Sequence, residues 1–399
     1  MKMKKPELKR RNFLKQSTLA AGASSLMITR PELVFGANAN SKINLGIIGC
    51  GGRGTHDGRN LIKTGNVQIV ALADYFDFQA KGLANTFDVD VKNCYWGIEA
   101  YKNLIARKDV DAVLLTTTPY FRPMQFEEAI KNGKHVFTEK PIATDPWGCR
   151  KFHEIGKLAE KKKLVVGAGL QTRYEKTRQK IAKMIQDGAI GELMFGHSTR
   201  MGGDLWRRGR KPNFSQLDFE VRNWLYFTWA SGDFVTEQHI HNIDVFNWFT
   251  GKLPVCAHAS GGRKKRTDVG NIYDYIQVIW EYPGGFCYTH TGSQIKGGYN
   301  NMVSQIQGTG GYYDAQGWNG KLAINDGETV EHGGIGQASM QEMIEFTEAV
   351  LGKRDYLNNA DYVTTSTFTC LMARKAAYEQ KKVYWKDLWD SNEKFELPG

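Results

Sequence analysis

The chain has 399 residues, of which 41% are hydrophobic, 24% charged and 12% aromatic. This length predicts two or three domains, with a core large enough to need no disulfide or metal. Dispersed glycines and aromatic residues exclude collagen, coiled-coil and low-complexity classes. The net charge of +11 is concentrated in residues 1–39, which carry +6, so +5 remains for all other residues together. With so small an excess beyond that segment, we expect no nucleic-acid partner.

Residues 1–39 contain, in order, the features of an export signal. The basic run Arg10–Lys15 (RRNFLK) is similar to the twin-arginine consensus, and the weakly apolar stretch Ser17–Ile28 follows it. Small residues at Ala37 and Ala39 suit a cleavage site. The apolar stretch is too short, and too rich in Ser and Gly, to stay in a bilayer. We predict export to the periplasm by the twin-arginine route, without stable membrane insertion; a disordered basic tail is the alternative.

From residue 40 to 168, short apolar runs alternate with helical patterns. The runs have the character of strands buried in a parallel sheet. They are Ile43–Ile48, Val67–Ala73, Ala112–Leu115, His135–Phe137 and Leu164–Ala168. Strands that alternate with helices in this way predict a doubly wound α/β domain of the Rossmann type.

The pattern changes in the second half of the chain. Segments Tyr273–Tyr282 and Gly285–Gly292 flank a Pro-Gly turn and predict an antiparallel hairpin. Ser339–Leu351 is apolar at helical spacing and predicts an amphipathic helix. We therefore predict an α+β domain over residues 169–365, with a mainly antiparallel open sheet for substrate binding and oligomerisation. Residues 366–399 are predicted as a C-terminal helix and tail.

The first predicted strand runs into a G-x-G-x-x-G turn that opens a helix, which is the pattern of a dinucleotide site. Gly49 permits the tight turn, Gly51 the close approach of a pyrophosphate, and Gly54 the packing of helix on strand. Gly52 and Arg53 complete the turn, and Arg53 can reach toward a phosphate. The helix N-terminus favours the negative charge of the pyrophosphate. A purely structural glycine turn is the alternative.

A carboxylate, Asp74, ends the second predicted strand 20 residues after Gly54. It can accept hydrogen bonds from both ribose hydroxyls, and its charge would repel a 2′-phosphate. The sequence therefore favours NAD over NADP as the cofactor. A solvated carboxylate at a strand end is the alternative.

The motif Glu139-Lys140-Pro141 follows the strand His135–Phe137. With the glycine turn and Asp74, this motif resembles the glucose–fructose oxidoreductase/inositol dehydrogenase/rhizopine catabolism (Gfo/Idh/MocA) family, from Lys42 to about Leu388. The resemblance implies that Lys140 positions or deprotonates a substrate hydroxyl beside the nicotinamide. It also places Glu139 and two loop residues in the cofactor site: Thr117 and Pro119. A surface lysine beside a turn proline is the alternative.

A second motif, Glu237-x3-His241-x2-Asp244, matches the Asp-x3-His-x2-Asp pattern common in this family. The resemblance implies that His241 is the acid/base group and that Glu237 orients it or the substrate. Asp244, one helical turn further on, can orient the imidazole. The chain departs from the pattern in having Glu237 instead of Asp, and His239 where many members have glycine.

These departures raise a minority hypothesis of a divalent metal site. If the segment is extended, Glu237, His239 and His241 share one face, and such ligands suit Zn or Mn. Because a fourth ligand is missing, hydrogen-bonding histidines are the favoured alternative.

Tryptophans in the second half favour a carbohydrate substrate, because flat aromatic faces pack against sugar rings. We place Trp229 and His239 in the substrate site. Related enzymes often present an arginine after the last Rossmann strand, so Arg173 is a candidate for holding a substrate oxygen. A salt bridge at a domain junction is its alternative role.

Together these assignments predict an exported NAD-dependent oxidoreductase that takes a hydride from a sugar or glycoside hydroxyl and leaves a ketosugar. Two alternatives stay open. One is an NAD-dependent glycosidase or lyase that acts through a transient keto intermediate, and the other is a non-catalytic sugar- or NAD-binding protein. The resemblance also implies a homodimer or homotetramer formed through the second domain's sheet.

Overall fold

A computed structural model describes residues 42–398, so the predicted export signal at 1–39 lies outside the described residues. None of the helices between residues 42 and 398 combines the length and the apolar run that a bilayer crossing requires.

The N-terminal lobe is built on one parallel sheet. Its elements in chain order are β1 (Ile43–Ile48), α1 (Gly52–Lys63), β2 (Val67–Asp74), α2 (Asp77–Phe87), β3 (Cys94–Trp96), α3 (Ala100–Ile105), β4 (Ala112–Leu115), α4 (Arg122–Lys131), β5 (His135–Thr138), α5 (Pro146–Lys161) and β6 (Val166–Ala168). The six strands lie in the order β3-β2-β1-β4-β5-β6, and every pair is parallel. This is the doubly wound order that the sequence predicts.

The strand order places a binding crevice at one defined point of this sheet. The chain order reverses between β1 and β4, and in such sheets ligands bind at the carboxyl ends of the strands where the order reverses. The core residues of β1 and β4 are apolar and fully buried because helices cover both faces of the sheet. The glycine turn follows β1 directly, so it lies at this crevice.

The C-terminal lobe carries a second, mainly antiparallel sheet. Its elements are α6 (Lys176–Gln186), β7 (Leu193–Gly202), α7 (Gln216–Arg222), α8 (Thr228–Ser231), α9 (Phe234–Glu237), α10 (Ile240–Thr250), β8 (Cys256–Gly262), β9 (Tyr275–Glu281), β10 (Cys287–Gln294), β11 (Asn301–Gly308), β12 (Gly311–Gln316), β13 (Asn319–Ile324), β14 (Thr329–His332), α11 (Ala338–Val350), α12 (Ala360–Glu379), β15 (Val383–Tyr384) and α13 (Trp385–Asp390). The nine strands lie in the order β14-β13-β12-β11-β7-β10-β9-β8-β15. Within this second sheet, β7 and β10 are the only described strands that pair in parallel.

The predicted hairpin is present, with β9 and β10 antiparallel and Glu281 opposite Cys287. The burial of β9 alternates along the strand, so one face of the sheet is covered and the other is open. Helix α12 packs on the covered face, where the Trp280 indole donates to the Thr369 carbonyl at 3.2 Å. On the open face, Phe195, Tyr275 and Ile279 are 50%, 36% and 45% exposed.

Helix α12 also packs against α5 and β6 of the first lobe, so it joins the two lobes. The predicted boundary between residues 365 and 366 falls inside this helix, which begins at Ala360. The N-cap residue of this helix, Asn359, makes no side-chain hydrogen bond to the first turn.

Candidate active site

A cleft of about 380 Å³ opens at the carboxyl ends of β1, β2 and β4. Six of the predicted cofactor residues line it: Gly49, Gly51, Gly52, Arg53, Asp74 and Thr117. Pro119 and Glu139 are buried beside the cleft and do not line it. The sequence motif therefore identifies most of one wall of the cleft.

The glycines of the turn serve two different purposes. Gly49 has φ of 104°, and a Cβ there would lie 2.5 Å from the Thr117 amide nitrogen. A Cβ on Gly54 would overlap the Gly49 carbonyl oxygen. By contrast, a Cβ on Gly52 would meet nothing within 4 Å, and one on Gly51 only the Gln79 amide at 3.6 Å. The first pair is required by the fold, whereas the second pair leaves open space for a ligand.

Helix α1 begins at this turn without a capping side chain and without an acidic residue in its first turn. Its first N–H groups and the positive end of its dipole therefore remain available to an anion. An open glycine cradle next to an uncapped helix N-terminus fits a dinucleotide pyrophosphate. The residues present thus fit the nicotinamide dinucleotide that the sequence predicts.

Two backbone N–H groups hold the Asp74 carboxylate at the cleft. Its Oδ2 accepts the Cys50 N–H at 2.7 Å, and its Oδ1 accepts the Phe76 N–H at 2.8 Å. Burial raises the pKa of Asp74 to about 6. Since each carboxylate oxygen has a second lone pair, the side chain can still accept from ribose hydroxyls.

Lys140 brings the first lobe into contact with the second. Its Nζ donates to the Glu237 carbonyl at 2.6 Å and to Glu237 Oε1 at 3.1 Å. Both side chains are largely buried, at 8% and 13% exposure. The lysine and the first carboxylate of the second motif therefore meet, a contact that the sequence analysis did not predict. Arg53, which lines the cleft, has its Nε 3.9 Å from Oε1 of Glu139, the residue before Lys140.

The loop that carries Lys140 is held by Arg122, which the sequence analysis did not identify. Arg122 donates to the carbonyls of Glu139 at 2.9 Å and Pro141 at 2.5 Å, on either side of the lysine. It also donates to the Thr117 carbonyl at 2.5 Å. Its burial lowers the pKa of the guanidinium to about 10. This arginine fixes the two loops that flank the lysine relative to each other.

His241 lies near this pair and is held in the neutral form. Burial lowers the pKa of its imidazole well below the ordinary value, and the positive charges of Lys140, Arg200 and Arg53 act in the same direction. Its Nδ1 has no hydrogen-bond partner among the described residues. The Trp318 ring stands edge-on to the imidazole, 6.3 Å between centroids. A neutral imidazole beside a lysine can exchange a proton with a ligand that reaches one of its ring nitrogens.

Asp244 does not orient His241, contrary to the expectation from the motif. Its carboxylate accepts three hydrogen bonds from Arg173, at 2.8 to 3.1 Å, and one from the Ser366 hydroxyl at 2.6 Å. Arg173 therefore forms a salt bridge at the lobe junction. This pairing engages its guanidinium, so we do not assign it to a substrate oxygen. The reason is that Asp244 points toward the end of β6 and toward α12, away from the imidazole.

Replacing Asp244 by Asn is expected to lower the free energy of unfolding by about 3–5 kcal/mol, because it leaves Arg173 buried without a countercharge. Chemical denaturation with urea measures this. The matched control is Asp187→Asn, which removes an exposed carboxylate paired with Lys183 and should change the value by less than about 1 kcal/mol. Equal losses in the two variants would contradict the assignment.

The minority metal hypothesis is wrong for this segment. Residues 237–241 are not extended: α9 ends at Glu237, Gln238 and His239 form a turn, and α10 begins at Ile240, so alternate side chains do not share a face. Within residues 42–398, the ligand atoms that cluster within 4.8 Å belong instead to Cys256, His258 and Glu281. Lys382 already neutralises that glutamate, at 3.1 Å from each oxygen.

His239 belongs to a buried hydrogen-bond chain. Its Nδ1 lies 2.8 Å from His290 Nε2, and His290 Nδ1 lies 2.6 Å from the Ser198 hydroxyl. The Tyr288 hydroxyl continues the chain at 2.6 Å from Ser198. Burial lowers the pKa of His239, so the imidazole is neutral. It is thus a buried, hydrogen-bonded core histidine, as the sequence analysis favoured over a metal ligand, and not the substrate-site residue that the sequence analysis made it.

Trp229 is a core residue and not a platform at the cleft. Its indole N–H donates to Glu220 at 2.6 Å, and its ring packs edge-on against Tyr120 and Phe121. The tryptophans that reach open space are others: Trp206 and Trp224 line the cleft, and Trp318 stands beside His241. Aromatic contact with a sugar stays a prediction, and the composition of the second lobe could not rank the individual rings.

Comparison with known proteins matches both lobes to one family. Residues 43–170 match the model described as oxidoreductase family, NAD-binding Rossmann fold, and residues 178–314 match the GFO/IDH/MocA C-terminal domain. Together the two matches cover well over half of the chain.

Two curated relatives are similar to part of the chain. The inositol 2-dehydrogenase of Burkholderia multivorans is 27% identical over 244 residues, 61% of this chain and 65% of that protein. The 2,7-anhydro-N-acetylneuraminate hydratase of Mediterraneibacter gnavus is 27% identical over 220 residues, 55% of this chain and 52% of that protein. The chain thus spans between half and two thirds of the relatives' length.

Among solved structures, a protein from gentamicin A biosynthesis in complex with NAD superposes with a TM-score of 0.69 at 16% identity. The match covers 88% of this chain and 98% of that one. At this identity the likeness concerns the fold, and both lobes share it.

Proposed function

Because the chain belongs to the Gfo/Idh/MocA oxidoreductase family, we propose that it is an NAD-dependent dehydrogenase acting on a ring hydroxyl of a sugar, glycoside or inositol. The observation that carries this proposal is the meeting of Lys140, Glu237 and a neutral His241 beside an open glycine cradle. The names of the inositol dehydrogenase relatives support the substrate class.

Bound NAD supplies a hydride acceptor at the nicotinamide ring. His241 takes the proton of the substrate hydroxyl on an imidazole nitrogen, which can accept it because the ring is uncharged. Lys140 donates a hydrogen bond to the same oxygen, and Glu237 keeps the ammonium in place. Trp318 and Arg200, whose groups are 5.9 Å apart, form a flat face and a donor next to His241 for the rest of the ring.

We propose NAD over NADP because Asp74 presents a carboxylate where a 2′-phosphate would lie. We also propose that residues 1–39 direct export by the twin-arginine route, on the strength of the Arg10-Arg11 motif. The open face of the second sheet, with Phe195, Tyr275 and Ile279 exposed, supports assembly into a dimer or tetramer.

Of the two alternatives, the elimination enzyme has specific support and the non-catalytic protein has a specific objection. The hydratase relative indicates that this fold accommodates elimination or addition chemistry, which favours an enzyme that oxidises, eliminates and reduces again on one bound nucleotide. A non-catalytic sugar- or NAD-binding protein is less well supported, because such a role does not require a buried lysine and a neutral histidine together.

The test is to incubate the purified protein with NAD or NADP and a panel of sugars and inositols, following reduced nucleotide at 340 nm. We expect substrate-dependent reduction that prefers NAD. A parallel panel of aryl glycosides without added nucleotide reports released phenol. Catalytic phenol release without net NADH would establish the elimination route in place of net oxidation. Binding without either reaction would support the non-catalytic alternative.

A further inference from the structure

Residues 204–224, here called the strap, follow β7 in the second lobe and pass over the cleft of the first. Four long strap side chains line that cleft: Trp206, Arg208, Arg222 and Trp224. No motif in the sequence marks them, and they lie outside the matched Rossmann segment, residues 43–170. The strap is thus a second wall of the cleft, contributed by the other lobe.

The strap is fastened to the loop that directly follows Asp74. The Tyr75 hydroxyl donates to Asp218 Oδ1 at 2.7 Å. Phe76 stacks on Phe214 with ring centroids 5.4 Å apart. Phe78 lies under two strap cations, Lys211 at 4.0 Å and Arg222 at 4.9 Å. These contacts place the strap at the Asp74 end of the cleft, where the sequence puts the ribose of the adenosine half.

Inside the strap, the cleft-facing groups are fixed in position. The backbone of Arg208 exchanges two hydrogen bonds with the Asn223 side chain, at 2.8 and 3.0 Å. The Trp206 and Trp224 rings pack edge to face, 6.4 Å between centroids. The positive charge of Arg222 also reaches Asp74, where it opposes the effect of burial on the carboxyl's pKa. Two indoles and two guanidinium groups therefore face the same end of the cleft.

The two indoles and two guanidinium groups match the chemistry of an adenosine phosphate. Indole faces stack on a purine, and guanidinium groups hold ribose or phosphate oxygens. A segment that contacts a ligand and is fastened to the opposite wall must open before the ligand leaves, so it slows release.

We propose that the strap binds the adenosine half of the dinucleotide and that the Tyr75–Asp218 hydrogen bond slows its dissociation. This inference rests on the proposed function, because it assumes that the cleft holds a nicotinamide dinucleotide. It assigns nucleotide binding to the second lobe, in addition to the substrate site.

The probe for binding is ADP-ribose, which contains the adenosine and pyrophosphate of NAD without the nicotinamide. Calorimetric titration of the full protein, freed of co-purified nucleotide, measures its Kd. Trp224→Ala is expected to raise that Kd about 5- to 150-fold, the range for loss of one base–aromatic stack, and Trp224→Phe should recover part of it. The matched control is Arg59→Ala, on the exposed side of α1 and away from the cleft, which should leave the Kd unchanged.

The role of the Tyr75–Asp218 hydrogen bond is tested by the rate at which prebound NAD is displaced, which stopped-flow fluorescence measures. Tyr75→Phe removes one hydroxyl and is expected to accelerate release about 3- to 10-fold. The control is Tyr299→Phe at a side chain that is 73% exposed, which should release NAD at the wild-type rate. Thermal melts confirm that each variant is folded, and the Tyr75 variant carries the test if Trp224→Ala does not fold.

The outcomes separate the two proposals. If wild type binds NAD and ADP-ribose but the strap variants match it in affinity and release rate, the strap inference is wrong and the proposed function stands. If wild type binds neither NAD, NADP nor ADP-ribose, the proposed function is wrong and the strap inference with it. The inference is supported if the strap variants bind ADP-ribose more weakly and release NAD faster, while the control variants behave like wild type.

Discussion

The Lys140→Met variant is expected to bind NAD about as tightly as wild type and to reduce it about 100- to 10,000-fold more slowly. Lys140 is the one side chain of the first lobe that the structure joins directly to the second motif, through Glu237. Its removal takes away a donor that acts on the reacting oxygen, and such groups contribute about this factor. Binding by calorimetry and single-turnover absorbance at 340 nm separate the two effects.

Methionine keeps most of the length of the lysine side chain, so the variant should fold. The matched control is Lys162→Met, because Lys162 also donates to two backbone carbonyls, at 3.0 Å each, but lies on the exposed end of α5. That variant should turn over at the wild-type rate. Unchanged turnover in Lys140→Met would refute the role of the lysine, whereas a lost affinity for NAD would show that the side chain supports the cofactor instead.

The parts of the fold that were predictable are those with local signals. Buried strands appear in the sequence as apolar runs. The glycine turn combines a strand end, a helix start and, at Gly49, a positive φ that favours glycine. Asp74 followed from its fixed spacing after that turn. These features depend on residues within about one βαβ unit, so the sequence carries them directly.

The pairing of polar side chains across the lobes was not predictable. Asp244 and Arg173 are 71 residues apart, and nothing local shows that they form an ion pair. The motif placed Asp244 one turn after His241, but that spacing leaves the direction of each side chain open. Arg122 likewise acts on carbonyls 17 and 19 residues away. Both kinds of contact depend on tertiary packing, between the lobes for Asp244 and within the first lobe for Arg122.

The segment around Glu237 shows how backbone conformation decides chemistry. An extended segment would have aligned Glu237, His239 and His241 for a metal. Asp233, at φ of 84°, instead starts a helix, and its carboxylate is held by the Tyr378 hydroxyl at 2.6 Å. A tyrosine from α12 therefore holds the residue that starts α9, the helix that ends at Glu237. That contact spans 145 residues and has no signature in the motif.

His241→Gln is expected to lower kcat about 100- to 10,000-fold while leaving the Kd for NAD unchanged, because the imidazole is the group that takes the hydroxyl proton. The pH dependence gives a sharper readout. Burial and the nearby cations hold the pKa of His241 well below its ordinary value, so the imidazole stays neutral as the pH falls through 6.5. Wild-type kcat/KM should therefore lose no activity to this histidine between pH 8 and about 6.5.

Loss of activity at acidic pH should appear only below that range, as protonation removes the free lone pair of the imidazole. Because substrate binding can change the environment of the imidazole, both kcat and kcat/KM are measured against pH. The matched control is His258→Gln at an exposed histidine on β8, which should leave both profiles in place. If His241→Gln turns over normally, or if it keeps the wild-type acidic limb, the proton goes to another group, and Lys140 becomes the base.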